Sequence, residues 1–244
     1  MKETDGSSSL AATVAVAATS GGMLGNYRIE QLLGRGANGA VFLAYDTKLH
    51  RRVALKVLHR TAQDETSALQ LLREARNAAA LNHPHICIVH EVGTSDDASF
   101  IAMEYVGGAS LRRRIDAGAL PPDEAVRLGV QAADALAYAH DHGVVHRDFK
   151  AANAMLTEDG RLKIVDFGLA QRADALVAAA TMLPSAIQPG EAAGTPYAMA
   201  PEQVRGEPAD PRSDIWALGV LLYEMVSGRR RSRRRPCRSC SRGS

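Results

Sequence analysis

Apolar residues alternate with polar ones through much of the first half of the chain and recur every third or fourth position through much of the second. From about Tyr27, "YRIEQLLGRGANGAVFLAYD" reads as strand, glycine turn, strand, and "RRVALKVLH" as a third strand. A period of two in that third strand places Ala54, Lys56 and Leu58 on one face, with Val53, Leu55 and Val57 on the other. Residues 65–81 turn helical, with Leu69, Leu72, Arg76 and Ala79 spaced by three or four. "HPHICIVHEVG" and "SFIAMEYV" read as two further strands. The first half is therefore strand-rich with one helix.

After "GGASL" the pattern changes. Residues 123–142 predict a long helix, opened by "PPD" and closed at Gly143, with Val126, Val130, Ala133, Leu136 and His140 along one stripe. Short strands follow around "NAMLT" and "LKIVD", then a long loop from about 171 to 196. "SDIWALGVLLYEMVSG", capped by Ser213 and Gly228, is apolar nearly all round and predicts a buried central helix. The layout is α+β, with a strand-rich first lobe, a helical second lobe and no internal repeat.

Composition narrows the function. The 244 residues are 46% hydrophobic and 23% charged, enough for one large domain or two small lobes. The net charge of +2 conceals an imbalance: residues 229–244 hold eight arginines and no acid, leaving about −6 on the rest. That acidic remainder argues against nucleic acid as a partner. Three cysteines, Cys87, Cys237 and Cys240, are too few for a disulfide framework and fit a reducing cytoplasm. No apolar run reaches the ~18 residues needed to span a bilayer. "LAATVAVAA" follows an acidic "KETDGSSS", the wrong flank for a secretory signal, so residues 1–25 read as a disordered leader.

Three groups of residues carry candidate chemistry. Gly34, Gly36 and Gly39 in "GRGANGAV" lie between two strands, where a flat hairpin can turn its N–H groups toward phosphate oxygens; an ordinary hairpin turn has the same letters. Lys56 sits among apolar strand residues, where an ammonium needs an anionic partner such as Glu74 or a phosphate, unless it reaches solvent from an edge strand. Asp148, Lys150, Asn153 and Asp166 form the third group. Phosphoryl transfer needs hard oxygen ligands for a divalent cation, which Asn153 and Asp166 supply, and a carboxylate to take a hydroxyl proton, which suits Asp148. Lys150 can offset charge on the transferred group. Singly, the loop residues could merely satisfy backbone donors.

Together the motifs "GRGANGAV", "VALK", Glu74, "HRDFKAAN", "DFG", "GTPYAMAPE" and "DIWALG" resemble, in order and approximate spacing, the eukaryotic-type protein kinases, from about Tyr27 to Gly228. "REARNAAALNHPHI" and "MEYVGG" look most like the bacterial Ser/Thr branch. The resemblance implies a two-lobed kinase-like fold with ATP and Mg²⁺ as cofactors. It implies that Gly34, Gly36 and Gly39 cover the phosphates, that Lys56 holds them while paired to Glu74, and that Val41, Ala54 and Met155 sandwich the adenine. Met103 would be the gatekeeper, with the backbones of Glu104 and Val106 on the adenine edge. Asp148 would be the catalytic base and Asn153 and Asp166 the metal ligands. Lys150 with Thr195 would mark Ser/Thr specificity and a protein substrate. His146 and Phe167 would pack, Glu202 and Asp214 would be structural, and Thr181 and Ser185 would be phosphate acceptors near Arg147.

Departures are confined to uncharged positions, Phe149 and Ala151, where leucine and proline are commoner in the family. The expected organisation is a leader at 1–25, an N-lobe at 26–106, a partial C-lobe at 107–228 and an Arg-rich disordered tail at 229–244. "RRRSRRRPCRSCSRGS" has no apolar period, so a C-lobe lacking its last helices is expected, and a membrane tether would have to come from a region beyond this chain. Two functions follow: an ATP-dependent Ser/Thr protein kinase, or a nucleotide-binding regulatory fragment without transfer activity.

Overall fold

The computed structural model describes residues 21–36, 39–58, 78–95, 98–167 and 198–229. Six strands form one antiparallel sheet. They are β1 (Met23–Leu24), β2 (Tyr27–Gly36), β3 (Gly39–Asp46), β4 (Arg51–Leu58), β5 (Val89–Ser95) and β6 (Ala98–Glu104), in the spatial order β1-β2-β3-β4-β6-β5. A three-stranded sheet follows from β7 (Ala109–Ser110), β8 (Ala154–Leu156) and β9 (Leu162–Ile164). The helices are α1 (Leu111–Asp116), α2 (Pro122–Asp141), α3 (Pro201–Val204) and α4 (Pro211–Ser227). The sheet lobe precedes the helical lobe, as the periodicities predict.

β4 lies inside the large sheet, hydrogen-bonded to β3 and β6, and is buried on both faces. Val53, Leu55 and Val57 join Tyr27, Phe42 and Phe100 in one core; Ala54 and Leu58 join Ile101 and Met103 in another. Lys56 shares the second face at 6% exposure, so the alternation that placed it there also commits it to an internal partner. The predicted helix at 65–81, with Glu74 on it, lies outside the described residues except at its last turn.

The helical lobe departs from expectation in two places. In α2 the buried stripe is Ala125, Leu128, Gly129, Ala132, Ala135, Leu136 and Ala139, while Val126 and Val130 are each 63% exposed and Ala133 is also exposed. Only Leu136 of the predicted apolar stripe is buried. Five of the seven seam residues are alanine or glycine, which lets α4 approach closely: Leu222 lies against Gly129. In α4 the N-cap is Asp210, which accepts the Arg212 N–H, and Ser213 completes the capping box from inside the helix. Gly228 closes it in the left-handed region at φ 63°, as predicted. One side of α4 is not buried, since Ile215, Tyr223 and Val226 are exposed.

The glycines of the hairpin are not equivalent. Gly39 has φ 144°, and a Cβ there would lie 2.0 Å from the Val57 carbonyl oxygen. Gly34 and Gly36 have no such conformational demand and face open space. Gly39→Ala should therefore lose about 2–3 kcal/mol of stability, whereas Gly36→Ala should leave the thermal midpoint unchanged; matching midpoints for the two variants would refute this assignment.

Candidate active site

The apolar wall of the site comes from both sheets. Val41 on β3 pairs with Lys56, Ala54 pairs with Met103, and Met155 lies on β8 of the smaller sheet. Val41, Ala54, Met103, Val106 and Met155 belong to one cluster, joined by Cys87, Ile101 and Val165. The three side chains expected to sandwich the adenine, Val41, Ala54 and Met155, thus lie together with the expected gatekeeper Met103 and with Val106, whose backbone was expected on the adenine edge. Cys87 was not anticipated in this role, because nothing in its local pattern distinguishes it; only long-range backbone bonds, Cys87 N–H to the Ile164 carbonyl and Glu104 N–H to the Ile88 carbonyl, place it here. Its thiol donates to the Glu104 carbonyl at 3.5 Å.

Glu104 donates its backbone N–H to the Ile88 carbonyl at 2.8 Å, and its own carbonyl, which takes the Cys87 thiol, keeps a second lone pair. The Glu104 carboxylate turns away and pairs with Lys163 Nζ on β9 at 2.7 Å. Sequence reading missed this link between the two sheets, since neither residue has an unusual local context.

Lys56 Nζ meets Asp166 Oδ1 at 2.8 Å, so its counter-charge among the described residues is the carboxylate expected to bind metal. Glu74, the expected partner, lies outside those residues. Asp166 sits at φ 63°, a conformation costing a non-glycine residue on the order of 1–3 kcal/mol. The neighbouring Val165 carries the compensation. Its N–H donates to the Asn153 carbonyl at 2.9 Å, and its carbonyl meets His146 Nε2 at 3.0 Å.

Asn153 lies at the end of a single 3-10 turn, residues 151–153, and its Nδ2 donates to the Asp148 carbonyl at 2.8 Å. That commitment of the amide nitrogen leaves the amide oxygen as the free donor atom. Asp166 likewise retains Oδ2 beyond the oxygen bound to Lys56. Two hard oxygens, one neutral and one anionic, fit Mg²⁺, which takes one or two protein oxygens and completes its shell with phosphate and water. Asp148 stands beside them, its Oδ2 2.7 Å from Lys150 Nζ and 3.3 Å from Asn153 Nδ2. A third of its side chain is open to solvent, so an incoming hydroxyl can reach it.

The loop holding Asp148 is fastened from below by Asp214, which is 1% exposed. Its Oδ2 accepts the His146 N–H at 2.8 Å and its Oδ1 the Arg147 N–H at 2.9 Å, and His140 Nε2 lies 2.8 Å from Oδ2. His146 is fully buried, its ring packed on Phe149 and Phe167, as expected for a packing residue. Glu202 takes the Ser213 hydroxyl at 2.6 Å, a structural contact as predicted. Gly168, Thr181, Ser185 and Thr195 lie outside the described residues.

Burial, and then the nearby Glu104 and Asp166 charges, push the Cys87 thiol up to about 12. At pH 8 the folded protein then holds a thiolate fraction on the order of 10⁻⁴, against roughly a quarter in the unfolded chain. Peptide mapping after iodoacetamide treatment should find Cys87 unmodified in native buffer and modified in urea; equal labelling would contradict the burial. Asp214→Ala should orphan the His146 and Arg147 N–H groups at about 1–3 kcal/mol each. A denaturation curve showing less than about 1 kcal/mol of loss would remove Asp214 from its anchoring role.

Comparison with known proteins identifies the fold. The protein kinase domain family matches residues 27–238. The serine/threonine-protein kinase PknB of Mycobacterium leprae is 40% identical over 208 residues, covering 83% of this chain and 32% of the relative. A probable serine/threonine-protein kinase of Streptomyces coelicolor is 39% identical over 211 residues, covering 84% of this chain and 30% of its own length. The chain thus spans about a third of the length of these curated relatives. Among solved structures, the PknI kinase domain of Mycobacterium tuberculosis superimposes with a TM-score of 0.69 at 32% identity, over 89% of this chain and 82% of that one. The sheet lobe and the helical lobe are those of a protein kinase domain, and the chain belongs to the protein kinase family.

Proposed function

We propose that the chain catalyses transfer of the γ-phosphoryl group of ATP to serine or threonine hydroxyls of a protein. The observation that carries this reading is the 2.8 Å pair between Lys56 of the sheet lobe and Asp166 of the helical lobe, with Asp148 and Asn153 beside it. A triphosphate lying between the lobes would meet the Lys56 ammonium from above. Asn153 and Asp166 would hold Mg²⁺ from below, and that ion would neutralise charge on the β- and γ-phosphates. The open space at Gly34 and Gly36 supports the same placement, because the fold itself makes no demand for glycine there. An adenine would lie between Val41, Ala54 and Met155, with Met103 behind it.

Asp148 accepts the proton of the acceptor hydroxyl. Lys150, ion-paired to it at 2.7 Å, keeps the carboxylate oriented and offsets negative charge on the transferred group. A lysine at this position also favours an aliphatic hydroxyl acceptor, in keeping with the Ser/Thr relatives. Among the described residues no helix is long and apolar enough to cross a membrane.

The test is incubation of the purified chain with γ-labelled ATP, Mg²⁺ and a generic basic protein. Label should appear on serine or threonine and fall at least about 100-fold in Asp148→Asn and Lys56→Met. Nucleotide-induced thermal stabilisation without label would replace the enzyme with a binding module. Label that persists in Asp148→Asn would remove that residue from the role of base.

A further inference from the structure

We propose that Gln203 is a positioning residue for Asp148, and that it couples the chain segment entering α3 to the base; this rests on the kinase reading above. Gln203 is 7% exposed, and both ends of its amide are committed. Its Nε2 donates to the Arg147 carbonyl at 2.8 Å, and its Oε1 accepts the Ala200 N–H at 3.0 Å. Those two partners are 53 residues apart in the chain, so a single planar group links the catalytic loop to the segment before α3.

The Arg147 carbonyl is a sensitive place to hold. It shares one rigid peptide plane with the Asp148 N–H. Gln203 grips the carbonyl edge of that plane, while His146 Nδ1 receives the Asp148 N–H at 3.3 Å on the other edge. Asp214 fixes the preceding plane through the Arg147 N–H. Arg147 between them is in the left-handed region at φ 69°, which a non-glycine residue keeps only when its surroundings enforce it. Two clamps close on the planes either side of Arg147, and the direction of the Asp148 side chain follows from the second. Releasing the carbonyl would let the Asp148 peptide rotate while Asp214 still held the loop in place.

The Ala200 contact adds coupling. A shift of the chain before Pro201 must carry the Gln203 amide with it or break the 3.0 Å bond, and either change reaches the plane that aims Asp148. The base is thereby tied to the conformation of the segment that precedes α3.

Two variants of the full chain separate these contacts. Gln203→Glu keeps an acceptor for Ala200 but sets a carboxylate oxygen against the Arg147 carbonyl, whereas Gln203→Met removes both bonds. Both should lower kcat by about 10–100-fold, with KM for ATP within about twofold, since misaiming one catalytic group costs that order of rate. Amide hydrogen exchange, read on the nucleotide-free protein, should show faster exchange at Asp148 in both variants and unchanged protection in β4. That readout needs no turnover, so it decides the geometry even if the wild-type chain transfers no phosphate. A loss in Gln203→Met alone would leave only the Ala200 contact and overturn the positioning role. Parallel loss of thermal midpoint, ATP affinity and protection throughout α2 and α4 would also overturn it, as ordinary core destabilisation.

Discussion

A buried ammonium in the middle of a β-strand governs this structure. Lys56 occupies an interior strand with apolar neighbours on both sides, where an unpaired charge would be prohibitively unfavourable. Its partner must come from outside the sheet, and Asp166 supplies it from the far side of the cleft. The pair therefore does more than satisfy a charge. It makes the sheet's electrostatics depend on the placement of the helical lobe, and under the proposed function the same cation and carboxylate would receive a triphosphate and its metal.

The helical lobe answers that demand with backbone held in costly conformations. Asp166 and Arg147 both take left-handed φ angles, and each is over-determined by hydrogen bonds to its neighbours. Asp214 and Gln203 hold the planes around Arg147, while Asn153 and His146 hold Val165 beside Asp166. The conformational energy stored in these loops is offset by bonds from α3, α4 and the 3-10 turn, so the helices serve the site chiefly as anchors. Under the proposed function, Asp148, Asn153 and Asp166 would then need little rearrangement to act together.

Much of this was legible in the sequence because it depends on local pattern. The period of two in β4 sorted Val53, Leu55 and Val57 from Ala54, Lys56 and Leu58, and the structure keeps those faces. Gly228 and the strand at "LKIVD" were equally visible. What stayed hidden depends on long-range pairing. The α2 seam uses alanine and glycine, so the larger valines misdirected the helical wheel, and Asp210 took the cap from Ser213 because the helix begins earlier than its apolar run. Cys87, Lys163 and Gln203 carry no local signal; each acquires its role only when a distant carbonyl or carboxylate is brought to it. Glu74, Thr181, Ser185 and Thr195 fall outside the described residues, and the structure leaves those expectations where the sequence placed them.

The cavity bounded by Cys87, Ile101, Met103, Asp166 and Phe167 holds only about 20 Å³. That is room for about one water molecule. A ligand with an aryl group directed past Met103, the expected gatekeeper, would find no space without displacing that side chain, and an electrophile aimed at Cys87 would meet a protonated thiol. Selectivity at the proposed nucleotide site would have to be sought toward its solvent-facing rim.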